Sequence, residues 1–221
     1  MSADVGGRPS TGHMFTGDQI ETRSFQIIDE LLAGADQTQP EWPVIRRIVH
    51  ATGDPAIAEH VRIHPQALAA GITALRAGRP IIADVRMVAV GINRRLATQL
   101  GCTVVCAIDD PAVAELARAD GVTRGVAAMR HLSATLPGAV VAIGNAPTAL
   151  SALLDYVAAG NPPPALIVGT PVGFVGAAES KAALVQSSGS LVPYITVAGP
   201  RGGSGMAVAA VNALLQLAAQ E

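Results

Sequence analysis

The sequence predicts a three-layer α/β/α fold with a mainly parallel central sheet, and three observations carry that expectation. Strand-like and helix-like segments alternate from about residue 80 to the C-terminus, the pattern of helices packed on both faces of a parallel sheet. Hydrophobic residues make up 50% of the 221-residue chain and aromatics only 3%, so the core must be built from Ala, Val, Leu and Ile. No linker and no fixed-period repeat interrupts the pattern, so residues 18–221 read as one domain behind a tail of residues 1–17.

Three helices precede the alternating region. In "DQIETRSFQIIDELLAG" the apolar residues Ile20, Phe25, Ile28, Leu31 and Leu32 recur at helical spacing, and Gly34 supplies a stop. "PEWPVIRRIVHATG" is the second, with Pro40 and Pro43 near its start and Gly53 past its end. "PQALAAGITALRAG" is the third. The period then changes. "PIIADV" and "TVVCAI" read as strands, and "DDPAVAELARADG" as a helix opened by Asp109 or Asp110 with Pro111. "VTRGVAAMRHLSATLPG" is a further helix. Strands "AVVAIG", "PALIVG" and "PYITVAG" follow, each leading into a helix: "NAPTALSALLDYVAAG", "AAESKAALVQSSG" and "GSGMAVAAVNALLQLAAQ".

Bulk properties exclude several partners. The net charge of −2 gives no long-range positive field for nucleic acid or an anionic membrane surface, so any anion site must be local. The N-terminus has no apolar signal core. The longest apolar segment, "MAVAAVNALLQLAA", is too short to span a bilayer and contains Asn212, so a buried helix is expected. Cys102 and Cys106 are four residues apart on a candidate strand, roughly 13 Å, too far to bond to each other. Two free thiols point to a cytoplasmic location.

Parallel sheets bind ligands beyond the carboxyl ends of their strands. Three such ends are rich in Gly and Pro: "IGNAPT" (Ile143 to Thr148), "GTPVGFVG" (Gly169 to Gly176) and "AGPRGGSG" (Ala198 to Gly205). A short loop needs these residues for turn geometry alone. Three together suggest a site where backbone N–H groups and helix N-termini meet an anion, with Arg201 and Lys181 nearby. No dinucleotide fingerprint, nucleotide phosphate loop or nucleophile elbow is present, which argues against a dehydrogenase, an NTPase or a serine hydrolase.

No metal set emerges. His60 and His64 are four apart, but Pro65 disfavours helix there and no third ligand stands out. His13 falls in the tail, and His131 follows Arg130 on a helix. His50 closes an apolar run before a Thr-Gly-Asp-Pro turn. It reads either as a structural histidine or as a group able to protonate one substrate atom. Arg23 and Arg124 read either as helix-capping surface residues or as carboxylate ligands.

The segments "RSFQIIDE", "RRIVHATGD", "PIIADVRMVAVGI", "VTRGVAAM", "VVAIGNAPTAL", "PALIVGTPVGFVGAAESK" and "GGSGMAVAAVNAL" together resemble the precorrin-8X methylmutase family of cobalamin biosynthesis, over roughly residues 20–217. The resemblance implies an α/β/α homodimer that moves a methyl group from carbon 11 to carbon 12 of precorrin-8X, giving hydrogenobyrinate. It implies no cofactor and no metal. The catalytic histidine of the family maps to His50, which would protonate or hydrogen-bond a ring nitrogen.

The substrate the resemblance implies is a flat tetrapyrrole carrying carboxylates, and the product is expected to stay tightly bound. Its acidic groups would meet Arg23, Ser24, Thr123 and Arg124, with Asn145, Ala146, Pro147 and Thr148 of the first loop. Val172, Gly173 and Phe174 of the second loop, and Arg201, Gly202, Gly203 and Ser204 of the third, complete the implied substrate contacts. The apolar ring would pack on Met87, Val88, Val172 and Phe174. Two departures stand out. Thr123-Arg124-Gly125 replaces the family's usual Thr-Arg-Ser, and the arginine of Gly199-Pro200-Arg201-Gly202-Gly203-Ser204 is displaced by one position. The alternatives are a cobalt-precorrin-8 methylmutase of the oxygen-independent route and a non-catalytic corrin carrier.

Overall fold

A computed structural model describes residues 15–187 and 192–220; residues 1–14, 188–191 and 221 lie outside it, and with them His13 and most of the expected tail. The chain begins with α1 (Gly17–Leu31), α2 (Trp42–Thr52), β1 (Val61–Ile63), α3 (Ala67–Arg76) and β2 (Ile81–Ala83). Then come α4 (Arg86–Gly91), α5 (Arg94–Gln99), β3 (Val104–Val105), α6 (Pro111–Asp120) and α7 (Arg124–His131). It ends with β4 (Val140–Ile143), α8 (Pro147–Ala158), β5 (Leu166–Gly169), α9 (Ala177–Ser187), β6 (Tyr194–Val197) and α10 (Ser204–Ala219).

The six strands form one sheet in the order β1-β6-β5-β4-β2-β3, parallel except for the β1–β6 pair. Alternate side chains of each strand point to opposite faces, and the burial follows that rule. Ile81, Ala83, Val140, Ala142, Leu166 and Val168 pack into a core with α1 to α5 and α10. Ile82, Val141, Ile143 and Ile167 pack into a second core with α6 to α9. This is the expected three-layer α/β/α arrangement. The apolar C-terminal segment is the buried helix α10, whose Ala207, Ala210, Val211, Leu214 and Leu215 are sealed from solvent. Among the described residues no helix is long and apolar enough to cross a membrane.

Several elements differ from expectation. The segment "RMVAVGINRRLATQ" forms α4 and α5, which its sequence did not announce. Each is only six residues long, too short for a 3.6-residue period to declare itself. The strand expected over "TVVCAI" shrinks to Val104–Val105 at the sheet edge, and the helix over residues 122–138 stops at His131, followed by a single 3₁₀ turn. Val88 is fully buried in the core and offers no surface to a ligand.

β1 was also unforeseen, because pairing with β6 rather than local propensity creates it. Its register sets Val61 against Val197 and Ile63 against Ile195. The carbonyl of His60 accepts from the Ala198 N–H at 2.8 Å, and the His64 N–H donates to Tyr194 at 2.9 Å. The two histidines therefore flank a strand instead of sharing a helix face. Running backwards, β1 starts where β6 ends. The end of α2 and the turn after it are thereby brought to the carboxyl edge of the sheet, beside the Gly-rich loops.

Candidate active site

His50 lies in the last turn of α2, half buried, and lines a cavity of about 270 Å³ with Ser24, Ile27, Ile28, Leu31, Val49, Gly53 and Pro55. Gly53 takes the left-handed conformation (φ 64°) that ends the helix at once and returns its N–H to the Val49 carbonyl. The wall opposite His50 is α1. Its face carrying Ile20, Ser24, Ile27 and Leu31 repeats at i, i+4, i+7 and i+11, and its three apolar members are exposed.

α1 is fastened to α2 along its other side. The Asp29 carboxylate accepts from Trp42 Nε1 at 3.0 Å and from Arg46 Nη1 at 2.8 Å, and Arg47 pairs with Glu21. The Phe25 ring lies under Arg46 and Arg47, at 4.4 and 4.9 Å, and meets the His50 ring edge-on at 5.4 Å. The imidazole forms no hydrogen bond with any described residue, so its ring nitrogens stay available to an incoming ligand.

A series of contacts joins this corner to the strand-end loops. Arg201 Nη1, in the β6–α10 loop, lies 3.0 Å from Asp54 Oδ2 in the turn after His50. The Gly203 N–H donates to the Thr170 carbonyl at 2.7 Å, and Gly173 donates to Pro200 at 3.2 Å, tying this loop to the β5–α9 loop. A Cβ on Gly202 would lie 2.4 Å from the Thr170 oxygen, so only glycine permits this backbone approach. Gly144 likewise sits against Ser204. Thr148 shares a 2.8 Å hydroxyl hydrogen bond with Thr123, the N-cap of α7, which places Arg124 at the far end of the band. Gly125, where the family usually carries serine, lets α7 close on Ala146 and Ala149.

The expected residues of the three strand-end loops thus lie along the carboxyl edge of the sheet, whereas the buried Val88 and the exposed Arg23 do not. Arg23 lies on the exposed side of α1, where its guanidinium meets Gln26 and Glu30 at 3.3 and 3.9 Å. Exposed apolar side chains stand above the edge: Met87 at 71%, Phe174 at 97% and Val175 at 89% of full exposure, with Val172 partly exposed.

Two ionisable residues change how the loops are read. Asp84, at the end of β2, is buried and accepts from the backbone N–H groups of Gly144, Asn145 and Ala146 at 3.0, 2.8 and 2.9 Å. The amides of the first loop, expected to be open to a ligand anion, are therefore filled by the protein's own carboxylate. Burial pushes the Asp84 carboxyl above its ordinary range, against the backbone donors that favour the anion. Strand order reverses between β2 and β4, so Asp84 fills the crevice where such sheets commonly bind ligands. Lys181 is not at the surface either. It is 1% exposed and donates to the Arg201 carbonyl, and burial pulls its amine down to about 8. Asp84 had one readable sign, an acidic residue closing an otherwise apolar strand.

No cluster of three metal-ligating side chains occurs among the described residues. The edge presents apolar side chains, one open imidazole and the cations Arg124 and Arg201.

Known proteins match nearly the whole chain. The precorrin-8X methylmutase family model matches residues 19–217. The precorrin-8X methylmutase of Pseudomonas aeruginosa is 50% identical over 200 residues, covering 90% of this chain and 94% of its own. The cobalt-precorrin-8 methylmutase of Priestia megaterium is 40% identical over 200 residues, covering 90% of this chain and 88% of its own. A crystal structure of precorrin-8X methylmutase from Thermus thermophilus superposes with a TM-score of 0.82 at 40% identity, covering 90% of this chain and 97% of its own.

Proposed function

Because the chain belongs to the precorrin-8X methylmutase family, we propose that His50 is the proton donor with which it shifts a methyl group from carbon 11 to carbon 12 of its corrin substrate. The chain is a methyl-shifting isomerase of cobalamin biosynthesis. The observation that carries the proposal is the half-buried imidazole of His50, open at an apolar cavity and without a hydrogen bond to any described residue.

The reaction needs no net gain or loss of atoms. A ring nitrogen takes a proton from His50 and draws electron density from the conjugated system. The methyl bond to carbon 11 breaks as the bond to carbon 12 forms, and the proton then returns to the imidazole. Most of the acceleration comes from enclosure and orientation. The apolar face of α1, with Val172 and Phe174, supports the ring, while Arg201 and Arg124 meet carboxylates through paired hydrogen bonds. Ser24, on the His50 cavity, and Thr123 and Thr148, on the loops, supply hydroxyl contacts. Arg23 reaches the substrate by leaving Gln26.

The substrate is the metal-free precorrin-8X; the 50% identity to the Pseudomonas aeruginosa enzyme of that name supports this reading. The exposed apolar residues of α1 and the strand-end loops support a homodimer whose second copy encloses the bound product, and the free thiols Cys102 and Cys106 support a cytoplasmic location. The test adds precorrin-8X to the purified protein and follows the visible spectrum. His50→Ala should retain product binding and lose turnover by about 10²–10⁴-fold, the usual worth of a general acid. Wild-type turnover in His50→Ala would remove the acid role.

A further inference from the structure

Lys181 is the only lysine in the sequence; every other member of the 15 Lys and Arg residues is arginine. It is also the largest side chain sealed in the interior, 1% exposed, and none of the described carboxylates pairs with it. Burying an ammonium is costly, and one hydrogen bond does not offset that cost. A methionine would fill the same space without it. The position of the amine shows what the cation does. From α9 it crosses to the carbonyl of Arg201, beside a cavity of about 220 Å³ lined by Thr196, Ala198 and Gly199. The residue it grips is the one whose guanidinium reaches Asp54, in the turn that follows the His50 helix. Two residues on, Gly203 is bonded to Thr170.

We propose that Lys181 is a positioning residue of the active site, holding the Arg201 carbonyl so that the Arg201–Ser204 turn presents its guanidinium to a substrate carboxylate beside His50. The inference rests on the reading of Arg201 as a substrate ligand. The ammonium touches no reacting atom. It acts through the turn, which carries only glycine between Arg201 and α10 and has little stiffness of its own.

The test compares Lys181→Met with the wild type in two measurements: steady-state conversion of precorrin-8X, and amide hydrogen exchange at Gly203. Removal of the buried charge should leave the thermal midpoint unchanged or raised. KM should rise about tenfold, the size of one hydrogen bond, with kcat little altered, and Gly203 exchange should accelerate. Lys181→Gln, which keeps an N–H donor, should recover part of both effects, and it replaces the methionine variant if that one does not fold. An unchanged KM or an unchanged Gly203 exchange overturns the proposal. Arg201→Ala separates the two readings. Wild-type KM in Arg201→Ala overturns the role of Arg201 itself, whereas the exchange and KM of Lys181→Met still decide whether Lys181 sets the turn.

Discussion

Replacing Asp84 with asparagine should destabilise the protein by up to about 3 kcal/mol, through lost hydrogen bonding. One carboxylate oxygen accepts from Gly144 and the other from Asn145 and Ala146. Asparagine has the same shape but only one acceptor oxygen. With that oxygen toward Asn145 and Ala146, its amide group meets the Gly144 N–H donor to donor, and a buried donor is left unpaired at a cost of about 1–3 kcal/mol. The two remaining bonds lose their charge assistance, worth roughly 1 kcal/mol more in total. Flipping the amide keeps one bond and orphans two donors, which is worse. A cost is partly returned, because the buried charge disappears. Urea unfolding measures the sum: the midpoint should fall with the slope unchanged. Asp84→Asn within about 0.5 kcal/mol of wild type, the range of ordinary surface substitutions, would refute the idea that this carboxylate builds the first loop.

Other outcomes follow from the same geometry. Lys181 should make stability rise with pH. Its folded value of about 8 lies below the ordinary 10.5, so the unfolded chain holds more protons between them. Stability therefore increases across that window, by at most about 3 kcal/mol. Subtracting the pH series of Lys181→Met from that of the wild type isolates this slope, and equal slopes would exclude it. Gly202→Ala should cost about 2 kcal/mol of overpacking and raise KM, because its Cβ would meet the Thr170 and Pro171 oxygens at 2.4 and 2.5 Å; denaturation and kinetics check both. Asp54→Asn removes the competitor for Arg201. The pair is exposed, so stability should change by less than about 1 kcal/mol, while KM should fall; a higher KM would contradict Arg201 as a carboxylate ligand.

The elements legible in the sequence were those whose signal is local. Helical spacing and caps marked α1, α2, α6 and α8, and the apolar runs before Gly144, Thr170 and Ala198 marked β4, β5 and β6. The same loops marked the edge of the candidate site, where Thr148 and Arg201 share one end of the sheet because parallel strands end together. What stayed hidden depends on distant partners. Three residues, one of them Arg62, do not announce a strand, yet pairing with β6 makes β1 and brings His50 to the edge. Val88 sits beside exposed Met87, and one step along α4 separates solvent from core. Asp84 and Lys181 are ordinary residue types in sequence; burial against backbone groups far along the chain gives them their work. Lys181 did carry a compositional sign, as the single lysine among arginines.

That same asymmetry fixes how the surface charge responds to alkali. With its one ammonium enclosed, the chain's side-chain cations facing water are guanidinium groups and histidines. Guanidinium keeps its proton throughout the range in which a lysine ammonium loses its own. The guanidinium part of that charge is then held where a lysine-rich protein would steadily lose its own. The guanidinium share of the attraction for a polycarboxylate should therefore persist into basic solution, and amine-directed labels should find Lys181 protected.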